Sequence, residues 1–321
     1  MLFGKDKNKM LKQIKHNNLT WNYIQKPTKK DWEFIENELF LPSDTIMEMT
    51  EALQQPRVEE YLIPNTNKKN LYINLNVPLF NRLKQTTEAG DLHIIVSNNT
   101  LTTILFKANL PVKSIFHHAE KSDSFREELF QKDEGVLFIN FLTELTSLAF
   151  DKIKHINENI DWVKETIFEE NSDNNVKEIS RIKLDILMFQ RILKPQKNII
   201  ETMLQEKYSF VSRREHVSLL HQLIRTNIKV WNSIESAQEI IESLEVTNNS
   251  MVSFRLNNTM RFLAAVSLIT FAMSVTLGIF TLIPDNAFGA SHDIIKFILA
   301  LTSLFFILIF SFWIFRKKNW L

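Results

Sequence analysis

The sequence predicts an α+β domain on the cytoplasmic side of a membrane, followed by a long helical stalk and two C-terminal transmembrane helices. Three observations carry this. Phe262–Ile283 is a run of 22 residues without a charge, and Ile294–Phe315 is a second run of 22 with one charge, Lys296, near its start. At ~1.5 Å per residue each is about 33 Å long, enough for a hydrocarbon core of ~30 Å. Charge is divided unevenly: of 38 basic and 37 acidic side chains, six basic and two acidic fall in 251–321, leaving 32 basic against 35 acidic in 1–250. Finally, a helical pattern begins near Arg213 and meets no stop signal before Pro284. That is roughly 70 residues, or ~105 Å, too long to pack inside a small globule.

Orientation follows from the flanks. Arg255 and Arg261 precede the first span, and Arg316, Lys317 and Lys318 follow the second, whereas the loop 284–293 holds Asp285 and Asp293. By the positive-inside rule both chain ends are cytoplasmic and the loop is external, in a cell inner or plasma membrane. The N-terminus "MLFGKDKNKMLKQIKHNN" has no apolar core of signal-peptide length. There is no cysteine, so neither disulfides nor thiolate metal sites are available. No basic face is concentrated enough for direct nucleic-acid binding.

Along the cytoplasmic part, "LTWNYIQ", "NLYINLNV", "DLHIIVSNN" and "TLTTILFK" have strand composition and alternation, with a hairpin turn at 97–100. Thr28 is placed as an N-cap, with Asp31 positioned to reach back to it. From Ser122 onward the pattern is helical. Leu137, Phe141, Leu145, Leu148, Ile153, Ile156, Ile160 and Val163 mark one long helix, 170–175 a polar turn, and 176–207 an antiparallel return with a kink expected at Pro195. In the last helix Leu220, Ile224, Trp231, Ile234, Ile241 and Leu244 form a seam near 3-4 spacing, interrupted by Asn227 and Gln238. A seam on a helix that continues into the membrane indicates a stalk in an oligomer. His117-His118 diverge on any regular element, and no phosphate loop, nucleophile motif or metalloprotease pair is present, so no catalytic residue, metal ligand or enzyme activity is assigned.

This layout resembles the CorA family of pentameric divalent-cation channels, and the resemblance covers nearly the whole chain. "QQPRVEEYLI", "RIKLDILMFQRILKPQ", "LNNTMRFL" and the terminal "RKKNWL" resemble family segments in the family's order. The resemblance implies a homopentamer, with itself and the lipid bilayer as partners. It divides the chain into an α/β domain at 1–120, an antiparallel helix pair at 121–210, a stalk at 211–261, a first span at 262–283, an external loop at 284–293, a second span at 294–315 and a basic tail at 316–321.

Aligned on the family's pore helix, Asn257, Met260, Leu263, Ser267, Phe271, Ser274 and Gly278 take pore-facing positions, and their spacings of three and four share one helix face. Met260 and Leu263 would form an apolar constriction that gates by dewetting. The family's Gly-Met-Asn mouth, whose oxygens hold a hydrated cation, is replaced here by Thr281-Leu282-Ile283. Mg²⁺ releases its water reluctantly and needs oxygen ligands, which an isoleucine ring lacks. The stalk aspartates with which the family senses internal Mg²⁺ align with Gln222 and Arg225, a poor ligand and a repelling one.

The resemblance, with these departures from it, implies three alternative functions. One is an ion channel with altered selectivity, gated by a cytoplasmic ligand other than Mg²⁺. The second is a membrane effector of a prokaryotic antiviral (type III CRISPR) system, answering to a nucleotide-derived second messenger. The third is a non-conducting scaffold. The ligands implied are a divalent cation such as Mg²⁺ or a small nucleotide-derived molecule.

Overall fold

The computed structural model describes residues 11–50, 55–81, 86–107, 110–168, 172–206, 208–282 and 292–317. The chain forms two compact units, Met1–Leu244 and Glu245–Leu321.

The first unit is built on a six-stranded sheet. Its strands are β1 (Leu11–His16), β2 (Leu19–Gln25), β3 (Arg57–Leu62), β4 (Lys69–Asn81), β5 (Thr86–Ser97) and β6 (Thr100–Leu105), in the order β1-β2-β6-β5-β4-β3. Every neighbouring pair is antiparallel except β2 with β6. The hairpin expected at 97–100 is present: Ser97 pairs with Thr100, and Asn99 takes the left-handed φ of 58° that a tight turn requires. β1 and β3 are edge strands that the sequence pattern alone does not reveal. β1 shows only one buried residue, Ile14, and β3 none, so neither alternates cleanly.

Because successive strand residues point to opposite faces, each face has its own cover. One face presents Trp21, Tyr23, Leu71, Ile73, Leu92, Ile94 and Leu101 to α3 (Leu110–Lys121), α5 (Glu134–Thr166), α6 (Ser172–Glu206) and the start of α7 (Arg214–Thr281). Trp21 is fully buried there and its indole N–H donates to Thr103 Oγ1 at 3.1 Å. The other face presents Ile24, Tyr72, Ile95 and Ile104 to α1 (Lys29–Asn37) and α2 (Ser43–Thr50). The start of α1 is capped as its sequence indicates: the Asp31 carboxylate accepts from the Thr28 backbone N–H and from its hydroxyl, each at 2.7 Å.

The helical part differs from the sequence reading in three places. It begins at α3, ahead of Ser122, and continues through α4 (Asp123–Leu129). α6 starts at Ser172, inside the stretch expected to be a turn at 170–175, while Pro195 lies within the helix as the sequence predicts. The stalk seam is filled by the chain's own helices. Val230, Ile234, Ala237 and Ile241 of α7 close a second core with Ile153, Ile156, Ile160 and Val163 of α5 and Ile182, Ile186 and Phe189 of α6. Asn227, which interrupts the seam, is nevertheless 2% exposed. The seam is therefore no evidence of a neighbouring chain.

A 3-10 turn (Ser209–Val211) joins α6 to α7 and is tied to the sheet edge, where the Glu60 carboxylate accepts from the backbone N–H and hydroxyl of Ser209 at 2.6 and 2.5 Å. These bonds, with the Lys69 ammonium, hold the Glu60 carboxyl below its ordinary range despite the opposing effect of burial.

The second unit holds the end of α7 and all of α8 (His292–Lys317). Both are long and apolar enough to cross a membrane.

Candidate ion-conduction pathway

The spans have few ways to satisfy polar groups, and their hydroxyls use their own helix. Thr270 donates to the Val266 carbonyl at 2.9 Å, Ser274 to Thr270 at 2.9 Å, Thr276 to Ala272 at 2.8 Å and Thr302 to Ile298 at 2.9 Å. In an apolar medium this internal bonding removes the cost of an orphan hydroxyl.

A covered stripe runs along each apolar helix. On α7 it comprises Ala265, Ile269, Ala272, Met273, Thr276 and Phe280; on α8 it comprises Lys296, Ala300, Ser303, Leu304, Ile307, Ser311, Ile314 and Phe315. Both stripes follow three-four spacing, as expected of two helices that cover one another. The seven residues expected to face a pore lie elsewhere. Asn257, Met260, Leu263, Ser267, Phe271, Ser274 and Gly278 are all exposed, and a Cβ on Gly278 would meet nothing within 4 Å. At about 100° per residue their mean direction lies about 175° around α7 from the covered stripe. The protomer thus has a helix with one side shielded and the opposite side, carrying this set, free.

At the end of α7, Thr281 turns its hydroxyl back onto the Gly278 carbonyl at 2.7 Å, and Leu282 is 82% exposed. Ile283 and the loop after it lie outside the described residues. Between them these two side chains bring one hydroxyl oxygen, that of Thr281, and no amide or carboxylate.

The family model described as "CorA-like Mg2+ transporter protein" matches residues 16–317. The chain belongs to this CorA-like family. It is therefore a member of a family of membrane transport proteins, and its two apolar helices fit that setting. The "Cobalt/magnesium transport protein CorA" of Thermotoga maritima is 16% identical over 273 residues, which are 84% of this chain and 73% of that protein. The solved structure titled "The complete structure of CorA magnesium transporter from Methanocaldococcus jannaschii" has the same fold, with a TM-score of 0.76 and 16% identity over 96% of this chain and 93% of that one. A second, "structure of the full-length CmaX protein", gives a TM-score of 0.67 and 16% identity over 99% and 93%. The CorA-like architecture of mixed sheet, long stalk helix and two terminal apolar helices is shared with them.

The stalk pair Gln222 and Arg225 is exposed on α7. Gln222 opens on a cleft of about 200 Å³ that also holds Asn140, Thr143, Glu128 and Glu144. Burial, and then the neighbouring Glu128, push the Glu144 carboxyl above its ordinary value. These two glutamates are absent from the sequence reading, because a pair from α4 and α5 carries no spacing signal and meets only in the folded chain. Arg225 is not among the residues that line this cleft. His117 and His118 separate as expected: His117 Nδ1 lies 3.1 Å from a Glu120 carboxylate oxygen, and His118 stacks on Phe125 with ring centres 4.0 Å apart.

Proposed function

We propose that this CorA-like chain assembles as a homopentamer around a pore lined by the free face of α7, and that it conducts ions without acting as a regulated Mg²⁺ importer. Both termini are cytoplasmic in this reading. The observation that carries it is the opposition of the two α7 faces. The shielded stripe accounts for α8, and the set from Asn257 to Gly278 is left without cover in a single chain. A free face holding an amide, two serines and a glycine among apolar residues suits a narrow channel better than lipid. An amide in hydrocarbon needs water or a partner.

Met260 and Leu263 supply two adjacent apolar rings, and such constrictions close to ions by losing water. Thr281, Leu282 and Ile283, the residues this reading assigns to the mouth, bring no amide or carboxylate oxygen, which disfavours capture of hydrated Mg²⁺. Gln222 and Arg225 replace carboxylates at the stalk position where relatives of this layout would sense Mg²⁺. Gating then falls to another cytoplasmic ligand.

The test is ion flux from liposomes carrying Met260→Ser, Leu263→Ser or Leu268→Ser, after light scattering has established five 37.8 kDa chains per particle. Leu268 lies between the two faces and serves as the control. Higher resting leak is expected from the first two variants only. Equal flux from all three and the parent would mean that these residues merely pack, and a monomeric mass would remove the channel altogether.

A further inference from the structure

α8 carries a row of aromatic side chains that neither its covered stripe nor the proposed pore uses. Phe306, Phe310 and Trp313 are spaced four and three residues apart, on one face of the helix. Phe306 and Phe310 are stacked with ring centres 6.5 Å apart and planes 9° from parallel. Phe310 and Trp313 follow with centres 6.3 Å apart and planes 22° from parallel. Lys317 completes the row: its Nζ lies 5.2 Å from the centre of the Trp313 ring, within cation–π range. The three aromatic residues are 71%, 53% and 57% exposed, so they touch one another and little else of the chain covers them. At about 100° per residue the row lies roughly 105° around α8 from its covered stripe.

Depth and charge indicate what this face meets. From Phe306 to Lys317 the helix rises ~17 Å at ~1.5 Å per residue, and one leaflet of a ~30 Å hydrocarbon core is about 15 Å deep. The row thus runs from near the middle of a bilayer to its surface. Tryptophan favours that boundary, and a lysine just past it extends its ammonium toward the headgroups. Arg316 is exposed beside it. From Ile294 to Leu321 the sequence has no acidic residue, and among the described residues neither Arg316 nor Lys317 is ion-paired. A stacked apolar strip one leaflet long therefore ends in two uncompensated positive charges.

We propose that this face of α8 binds one anionic phospholipid, with an acyl chain along Phe306, Phe310 and Trp313 and its phosphate at Lys317 and Arg316. The rings already hold one another, so an acyl chain that settles on them immobilises few rotamers. Trp313 keeps the Lys317 ammonium at the end of the strip, where the phosphodiester above that chain arrives. A zwitterionic lipid brings its own cation to the same two basic groups and loses much of their attraction. That the leaflet is the cytoplasmic one rests on the orientation proposed above; the binding itself depends neither on that orientation nor on a conducting pore.

Fluorescence quenching by brominated lipids tests this in the full chain carrying Trp320→Phe, which leaves Trp313 as the tryptophan within the two spans. Phosphatidylcholine vesicles receive equal mole fractions of brominated phosphatidylglycerol or brominated phosphatidylcholine. A relative affinity about tenfold or more in favour of the anionic lipid is expected, and it should shrink as salt is raised. Lys317→Gln and Arg316→Gln should each lower this preference about fivefold, the scale of one basic residue at an anionic surface. Phe310→Leu removes the ring between Phe306 and Trp313 without altering charge, and should lower the preference about twofold or more. Equal quenching by the two lipids before any of these three changes would mean an ordinary lipid annulus and would overturn the proposal. So would a preference unmoved by Phe310→Leu, which charge alone explains, or a Trp313 that neither lipid quenches, as when a helix of a second copy covers it.

Discussion

His93 is 1% exposed in the middle of the sheet, opposite Asn74 on β4. Its Nδ1 lies 2.9 Å from the Tyr72 hydroxyl, its ring stands perpendicular to Phe106, and its Nε2 has no hydrogen-bond partner. Burial, and secondarily the nearby Arg57, pushes its pKa down to about 4 from 6.5. As pH falls, the unfolded chain takes up this proton near 6.5 while the folded chain resists it until about 4. Protons therefore favour unfolding across that interval. The stability contributed by neutral His93 is complete above 6.5 and is lost on the way down to about 4, on the order of 3 kcal/mol in full. Urea unfolding of the full chain at several pH values should show this slope, and His93→Leu should flatten it. An unchanged slope in that variant would place the acid sensitivity elsewhere.

At the scale of elements, the stalk is pinned at its base through α5. Asp133 caps α5 by accepting the Val136 N–H at 3.0 Å, and the same carboxylate accepts from His216 Nε2 at 3.0 Å and from Arg213 at the start of α7. Burial opposes it, but the bonds from Val136 and His216 and the Arg213 guanidinium hold the Asp133 carboxyl below its ordinary value. Gly135 makes the junction fit. A Cβ there would lie 2.1 Å from the Phe210 carbonyl oxygen and 2.8 Å from His216 Cε1. Gly135→Ala should thus destabilise the chain by about 1–3 kcal/mol through overpacking, more than the ~1 kcal/mol that alanine gains in a helix. Gly278→Ala meets open space and should show only that gain, so thermal unfolding of the two variants separates the effects.

Elements with one clean period were legible in the sequence. β2 reads Leu19–Gln25 in both, and α7 ends within a few residues of the expected stop. β1, β3 and α2 were not, because edge strands and a short helix bury too little to impose a pattern. The shared helix face of Asn257, Met260, Leu263, Ser267, Phe271, Ser274 and Gly278 was legible because helical spacing needs no tertiary context. The cleft beside Gln222 was not, because Glu128 and Glu144 come from different helices and meet only in the folded chain.

For the whole molecule, the fold is that of a CorA-like transport protein, and the proposed reading assigns its mouth to Thr281, Leu282 and Ile283 and its sensor position to Gln222 and Arg225, none of them a carboxylate. Fold and proposal meet in one measurement. Expression in a bacterium deficient in Mg²⁺ transport should fail to restore growth at low external Mg²⁺, with membrane localisation and pentamer content verified. Full rescue would show that Thr281 and the residues after it serve Mg²⁺ after all.

The two cores of the first unit close within residues 1–244, and the charge-free segment begins only at Phe262. Domains fold as units during synthesis, the earlier part first. All residues of this unit therefore leave the ribosome before any membrane-spanning residue does, so its stalk base can close on its own α5 and α6 first. Insertion then delivers a folded protomer to the bilayer. Assembly is left to surfaces that this body does not use, so maturation separates into a step set by chain length and one set by protomer density in the membrane.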